Sequence, residues 1–282
     1  MFLSPIWAKI CQMMPDTMYL QWQFHHIYGR WLNIQHPQTY ADKLAYLKIY
    51  KKDERLSQLV DKFEVRKYVA EKIGEEYLIP LLGVYEKPEE INWNELPEQY
   101  VLKCTHDSAS VILHINNDFD KEKAIISLNR HLARNLFYYS REYPYKKVIP
   151  RIICETFLSD KGNPPKDYKF FCFDGVPHLI QCDSDRFSGH HKNFYSLEWE
   201  LLDLHDPDCR YHENHDERPQ ELDKMIKLAR LMSQGFPHVR VDFYNLDGKI
   251  YFGEMTFFPW GGPIWFKPDS WNYKLGDLIK ME

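Results

Sequence analysis

Arg240, Asp242, Glu254 and Thr256 sit in two apolar stretches that flank Leu246-Asp247-Gly248. Strand side chains alternate faces, so Arg240, Asp242 and Tyr244 share one face, and Phe252, Glu254 and Thr256 share one on the return strand. A three-residue loop with Gly248 in the left-handed position is a common hairpin connection. That register sets Arg240 opposite Glu254 and Asp242 diagonal to Glu254, about 7–8 Å away between backbones. Two carboxylates so placed can share Mg²⁺, which takes one or two protein carboxylates and completes its shell with phosphate oxygens. Arg240 can contact the same phosphates. The plainer reading is an Arg240–Glu254 surface ion pair.

Two lysines stand in strand-like, aromatic stretches: Lys103 in Tyr100-Val101-Leu102-Lys103-Cys104 and Lys169 in Asp167-Tyr168-Lys169-Phe170-Phe171-Cys172-Phe173. A lysine in such a setting is rarely buried without a partner. Either one alone reads as snorkelling at a sheet edge. Two of them beside a carboxylate hairpin read as point charges for polyphosphate oxygens.

The elements that must carry these groups are a helical first hundred residues followed by strands. Thr39 caps a helix through Tyr50, and a second helix is expected over 61–73, ended by Gly74. Residues 86–97 are a Pro-rich acidic connection. Strands are expected at 100–104, 110–115 and 148–155, with a helix over 119–138 capped by Asn117 or Asp118. Asp174-Gly175 marks a hairpin between 168–173 and 176–182. Pro219 opens a helix, and 239–244 with 249–258 form the last hairpin. The fold class is α+β, or mixed α/β.

The 282 residues allow two domains. With 36 Lys and Arg against 41 Asp and Glu, the net charge is −5, which argues against a nucleic-acid partner. Aromatic residues reach 16%. The six cysteines lack C-x-x-C spacing and read as buried thiols of a reducing compartment. No run is long and apolar enough to be a membrane helix, so a cytoplasmic protein is the default expectation. His212-Glu213-Asn214-His215 is not a zinc motif, and no Walker loop or Gly-x-Ser-x-Gly is present.

In their order and spacing several segments resemble the ATP-grasp enzymes, and among them the TupA-like branch named for teichuronopeptide biosynthesis. They are Tyr40-Ala41-Asp42-Lys43-Leu44, Asp61-Lys62-Phe63-Glu64-Val65-Arg66, Leu96-Pro97 through Cys104, Asp167 through Gly175, Arg240-Val241-Asp242-Phe243 and Gly253-Glu254-Met255-Thr256. The resemblance runs from about residue 37 to 262. It implies two α+β subdomains, at 97–154 and 155–282, gripping ATP behind a helical region at 1–96. It implies that Lys103 and Lys169 hold ATP phosphates, that Glu155, Phe157 and Leu158 form the adenine hinge, and that Asp242, Glu254 and Thr256 bind Mg²⁺. Arg240, with Lys103, would steady an acyl-phosphate. The loop over the phosphates would be Thr105-His106-Asp107-Ser108-Ala109-Ser110, with Ser108 offering its backbone N–H and Asp107 left awkwardly near phosphate.

The activity so implied is an ATP-dependent ligase joining a carboxylate to an amine through an acyl-phosphate. The branch suggests a uronic acid of a cell-surface polysaccharide or its precursor as donor, and an amino acid or amino alcohol as the small amine. Arg186, His190 and Asn193, in a polar loop, are candidate substrate contacts. Asp183-Ser184-Asp185 supports a rival, a metal-dependent glycosyltransferase. The glycine-poor phosphate loop supports another, a non-catalytic nucleotide or glycan binder. Gly261-Gly262 would let backbone approach a ligand, and Trp260, Trp265 and Trp271 would face a sugar. Residues 1–36, with Trp7, Trp22 and Trp31, are candidates for docking on a partner or a membrane surface, and the protein is a candidate for peripheral association with membrane glycan-assembly machinery.

Overall fold

The computed structural model describes residues 13–115, 119–160, 164–184, 189–209 and 216–281. Along the chain these form α1 (Asp16–Tyr28), α2 (Tyr40–Tyr50), α3 (Leu56–Val60), α4 (Val65–Lys72), β1 (Leu81–Tyr85), β2 (Tyr100–Cys104), β3 (Ile112–His114), α5 (Lys121–Leu132) and α6 (Phe137–Ser140). They continue with β4 (Ile152–Thr156), β5 (Asp167–Phe173), β6 (Val176–Ser184), β7 (His191–Tyr195), α7 (Leu222–Met232), β8 (His238–Leu246), β9 (Lys249–Thr256) and α8 (Ser270–Leu278). The strands make two antiparallel sheets, one ordered β1-β4-β2-β3 and the other β7-β6-β5-β8-β9. The fold is mixed α/β, as the sequence implies.

Thr39 starts α2 as expected. Its Oγ1 accepts from the Asp42 N–H at 3.3 Å, and the Asp42 carboxylate accepts from the Thr39 N–H at 3.0 Å, which satisfies two helix-start donors reciprocally. The expected helix over 61–73 is shorter. Asp61 Oδ1 accepts the N–H groups of Phe63 and Glu64, making a turn, and α4 starts at Val65. Gly74 ends it at φ 117°. The expected helix over 119–138 breaks in two. Asp120 caps α5, accepting from the Lys123 N–H at 3.0 Å. The expected caps Asn117 and Asp118 lie outside the described residues. Two further departures are strands: β1 lies within the stretch expected to be helical, and residues 191–193, expected in a loop, open the edge strand β7.

Asp174 and Gly175 (φ 48° and 75°) turn β5 into β6, the left-handed pair that suits a two-residue hairpin. The β8–β9 connection differs from expectation in the same way: Asp247 and Gly248 (φ 46° and 79°) form a two-residue turn, with Leu246 opposite Lys249. Alone, that one-residue change would move Glu254 to the opposite face. A bulge at Gly253 supplies the compensating residue, so Asp242 directly opposes Glu254 and Arg240 opposes Thr256. A Cβ on Gly253 would meet the Asp242 carbonyl oxygen at 3.1 Å, so glycine lets the bulge form without displacing that carbonyl.

The far face of the five-stranded sheet is apolar. Phe170, Cys172, Val241 and Phe243 are buried there with Leu222, Met225, Ala229 and Met232 of α7. Cys104, Cys154, Cys172 and Cys182 are buried free thiols. Among the described residues no helix is long and apolar enough to cross a membrane.

His238 ties α2 to this sheet. Its Nδ1 lies 3.0 Å from the Phe257 carbonyl oxygen, and its Nε2 lies 3.0 Å from the Tyr40 hydroxyl. Burial pushes its pKa down to about 4. The folded protein therefore holds this ring neutral, while the unfolded chain takes a proton near pH 6.5. Stability from this group is complete above pH 6.5 and is lost as the pH falls towards 4. We expect a loss of about 2 kcal/mol between pH 7 and pH 5 from this ring. Urea unfolding at both pH values checks it: His238→Gln should flatten the pH dependence, and an unchanged slope would refute the assignment.

Candidate active site

The face of the five-stranded sheet away from α7 is charged. Lys169 on β5 opposes Asp242 on β8 and Gln181 on β6, and the next row sets Asp167 between Asp183 and Tyr244. Lys169 Nζ lies 3.5 Å from the Asp167 and Asp183 carboxylates and 3.3 Å from Asp242. Burial favours the neutral amine, but these three acids outweigh it and raise the pKa. Burial likewise opposes ionisation of Asp183, and Lys169, His190 and Gln181 hold its pKa far below normal.

Arg240 knits the metal-hairpin candidates together. Its Nε and Nη2 each donate to Asp242 at 2.7 Å, and Nη2 also donates to Glu254 at 2.8 Å and to Thr256 Oγ1 at 3.1 Å. Thr256 Oγ1 donates in turn to Glu254 Oε1 at 3.0 Å. Burial pushes the Asp242 pKa up against the pull of Arg240 and Lys169. Glu254 sits deep in the structure, yet 43% of its side chain is exposed, facing a cavity. Burial opposes its ionisation, but Arg240, Lys62 and Lys169 pull its pKa down to about 2.

That cavity, of about 180 Å³, lies between the sheets. The four-stranded sheet contributes Lys103 and Glu155, the β2–β3 loop contributes Ser108 and Ala109, and the five-stranded sheet contributes Asp167, Lys169, Asp242 and Glu254. Lys103 Nζ donates to Glu155 at 2.9 Å, and Arg66 pairs with the other Glu155 oxygen at 3.2 Å. A contiguous slot of about 380 Å³ is mainly apolar, lined by Ile79, Val101, Leu113, Phe157 and Leu158. Strand lysines beside oxygen donors, opening into an apolar slot, suit an anion carrying a flat, uncharged ring. Among the described residues no three His, Cys, Asp or Glu side chains form a metal site by themselves. The hairpin offers two carboxylates and a hydroxyl, a hard-oxygen set that Mg²⁺ completes with phosphate.

The structure thus brings together Lys103, Ser108, Glu155, Lys169, Asp242 and Glu254 on one cavity. Arg240 and Thr256 hold Glu254 from behind, and Phe157 and Leu158 line the slot. Glu155, expected at an adenine hinge, lies on the cavity and not on the slot. His190 lines the slot. Asn193 is wholly buried on β7, its amide donating to Asp216 at 3.2 Å. Arg186 and Asp185 lie outside the described residues, as do His212 to His215 and Trp7. Asp183 of the D-x-D tripeptide is engaged by Lys169 and is 4% exposed, which leaves it poorly placed to capture a nucleotide-sugar's metal.

Several expectations need correction. Asp107 is not set against the cavity; it is bonded to His131 on α5. Gly261 and Gly262 make room for protein: added Cβ atoms would meet Ser140 at 3.1 Å and Lys48 Nζ at 3.0 Å. Trp265 is core, packed edge-on to Phe24, rather than surface. Lys62 and Arg66 are cavity residues that sequence reasoning misses. They stand out there only as marks of resemblance, because their partners Asp107 and Glu155 are distant in sequence.

The sequence matches the family described as TupA-like ATPgrasp over residues 42–280. The chain belongs to that family. The TupA-like ATP-grasp chain is also similar to solved structures at low identity. D-alanine–D-alanine ligase from Bacillus anthracis, complexed with ATP, shares 18% identity at a TM-score of 0.42, over 72% of this chain and 57% of that one. The ATP-grasp ligase PsnB, complexed with a precursor variant, Mg and ADP, shares 11% at 0.45, over 84% and 64%. D-alanine–D-alanine ligase from Helicobacter pylori shares 12% at 0.43, over 86% and 69%. The chain thus spans little more than half the length of the first of these. Comparison with curated proteins finds no match.

Proposed function

We propose that this TupA-like ATP-grasp chain is an ATP- and Mg²⁺-dependent ligase that joins a carboxylate to an amine. The observation that carries this reading is the cavity between the sheets, where Lys103 and Lys169 approach from opposite sheets beside the Asp242–Glu254 pair. Lys103 and Lys169 hold the phosphates of ATP, Ser108 and Ala109 cover them, and the base enters the slot at Phe157 and Leu158. Asp242, Glu254 and Thr256 hold Mg²⁺, which when bound offsets phosphoryl charge. Arg240 orients both carboxylates and steadies the transferring phosphoryl group.

In this scheme a substrate carboxylate oxygen attacks the γ-phosphorus and ADP leaves. The amine nitrogen then attacks the acyl carbon, inorganic phosphate leaves, and the nitrogen loses a proton. Holding carboxylate and phosphoryl group together is worth more than any single contact. The donor we favour is a uronic acid of a cell-surface glycan or its precursor, in keeping with the family branch, and the acceptor is an amino acid or amino alcohol.

Incubating the protein with Mg·ATP, uronate glycans and a panel of amines tests the reading. ADP release that requires both a carboxylate and an amine is the expected result. Release of UDP from UDP-sugars, with no ADP formed, would overturn it in favour of glycosyl transfer.

A further inference from the structure

Residues 105–110 join β2 to β3 and border the cavity through Ser108 and Ala109. Their shape is imposed from outside the loop. The Thr105 N–H donates to the Arg151 carbonyl at 2.9 Å, and the Cys104 N–H donates to Ser110 Oγ at 3.0 Å. His106 Nε2 sits 3.2 and 3.0 Å from the carbonyl oxygens of His131 and Arg134 at the end of α5. Asp107 is 1% exposed. Its Oδ2 pairs with His131 Nδ1, Arg134 Nη1 stands 3.8 Å from the same oxygen, and its Oδ1 accepts the Ser108 N–H at 2.8 Å. The Asp107 carbonyl oxygen accepts from the Lys62 ammonium at 2.5 Å, and Lys62 lines the cavity. One residue thus binds α5 with its side chain and a cavity lysine with its backbone.

Ala109 reports how firmly this loop is held. It adopts φ 62°, a left-handed conformation that costs an L-residue about 1–2 kcal/mol and that glycine takes freely. Such a conformation persists only where its surroundings over-determine it. An acid in a loop that borders a phosphate cavity would repel the ligand if it faced inward, and the pairing with His131 turns it away.

We propose that the Asp107–His131 pair is a positioning latch, which shapes the 105–110 loop and sets the Lys62 ammonium for the terminal phosphate of a nucleoside triphosphate. It supplies in advance the order that a glycine-rich loop would gain only on closing over nucleotide. The inference rests on the ATP-dependent reading. His131 touches no substrate in this scheme and acts through Asp107. Preorganisation of this kind raises affinity by removing an ordering cost, and here the gain falls on the phosphate farthest from the base.

Calorimetric binding of Mg-adenylyl imidodiphosphate and of Mg-ADP to the full chain tests it. His131→Ala should weaken the triphosphate analogue about tenfold, equivalent to about 1.4 kcal/mol, and ADP by less than about threefold. His131→Asn, which keeps a donor where Nδ1 stands, should restore most of that affinity. Hydrogen exchange in residues 105–110 should quicken in His131→Ala without nucleotide. Should His131→Ala fail to fold, Asp107→Asn carries the same comparison, with the same selective loss expected. Wild-type protein that binds ADP and the analogue while the variants bind both as it does overturns the latch alone. Equal weakening of both nucleotides, without rescue by His131→Asn, also overturns it. Wild-type protein that binds neither nucleotide overturns both the latch and the ATP-dependent reading.

Discussion

Lys169→Met should cost the protein about 3–5 kcal/mol of stability and reduce turnover about a thousand-fold or more. The side chain is 6% exposed, and its ammonium is the shared counter-charge of Asp167, Asp183 and Asp242, themselves 2–5% exposed. Methionine fills the same space but leaves those carboxylates facing one another. Arg240 still serves Asp242, and Gln181 still donates to Asp183, so the cluster is weakened rather than stripped. The pH dependence makes the cause visible. Without Lys169 the buried carboxylates lose the cation that offsets burial and their mutual repulsion, so keeping them ionised in the folded state should cost more as pH rises. The gap between variant and wild type should therefore narrow as the pH falls from 7 to 5. Urea unfolding and ADP release measured on the same preparations check both halves. A variant with wild-type stability would mean the three acids find other partners.

That cluster shows which part of the site is legible in the sequence. A lysine in an aromatic strand, an acid two residues before it and a carboxylate hairpin downstream are visible as types and spacings. Asp174-Gly175 and Thr39 announce their turn and helix start because the signals are local: left-handed φ values in one case, reciprocal capping bonds in the other. The β8–β9 register is not legible, because its turn and its bulge each shift the pairing by one residue, which together restore the shared face but move Arg240 from opposite Glu254 to opposite Thr256. The only local trace of the second is Gly253 itself, where an added Cβ would press on the Asp242 carbonyl oxygen at 3.1 Å.

The remaining omissions share a physical origin in long-range pairing. The run His191-Lys192-Asn193 is polar enough to read as a loop. It is a strand because its backbone pairs with β6, Asn193 opposite Cys182 and Lys192 opposite Asp183, and its polar side chains find distant partners, Lys192 with Asp206 at 2.6 Å and Asn193 with Asp216 at 3.2 Å. Arg66 and Glu155 are 89 positions apart, and Lys62 and Asp107 are 45 apart. No periodicity within a window of a dozen residues reports such partners. Lys48 is the same case in the core: its ammonium donates to the carbonyls of Ser140 and Gly261, and burial lowers its pKa to about 8. A helix pattern counts only its aliphatic stem.

Glu254→Gln is the contrasting experiment, because this carboxylate can be lost without unbalancing the core. The side chain faces the cavity, and a glutamine oxygen can still accept from Arg240 and Thr256, which now donate at 2.8 and 3.0 Å. Arg240 also keeps both bonds to Asp242. Stability should change by less than about 1 kcal/mol. Catalysis should not be spared. A neutral amide is a weak ligand for a hard divalent cation, and its lost charge is felt where phosphoryl charge develops, at a cost of about a hundred- to a thousand-fold in rate. ADP release should also need more Mg²⁺ to reach half its maximum than in the wild type. Lys169→Met and Glu254→Gln thus separate two roles that one charged face combines. If Glu254→Gln unfolds as readily as Lys169→Met, Glu254 is a structural partner of Arg240 first. If it turns over normally at low Mg²⁺, the metal lies elsewhere, and the Asp242–Glu254 pair serves only to hold Arg240.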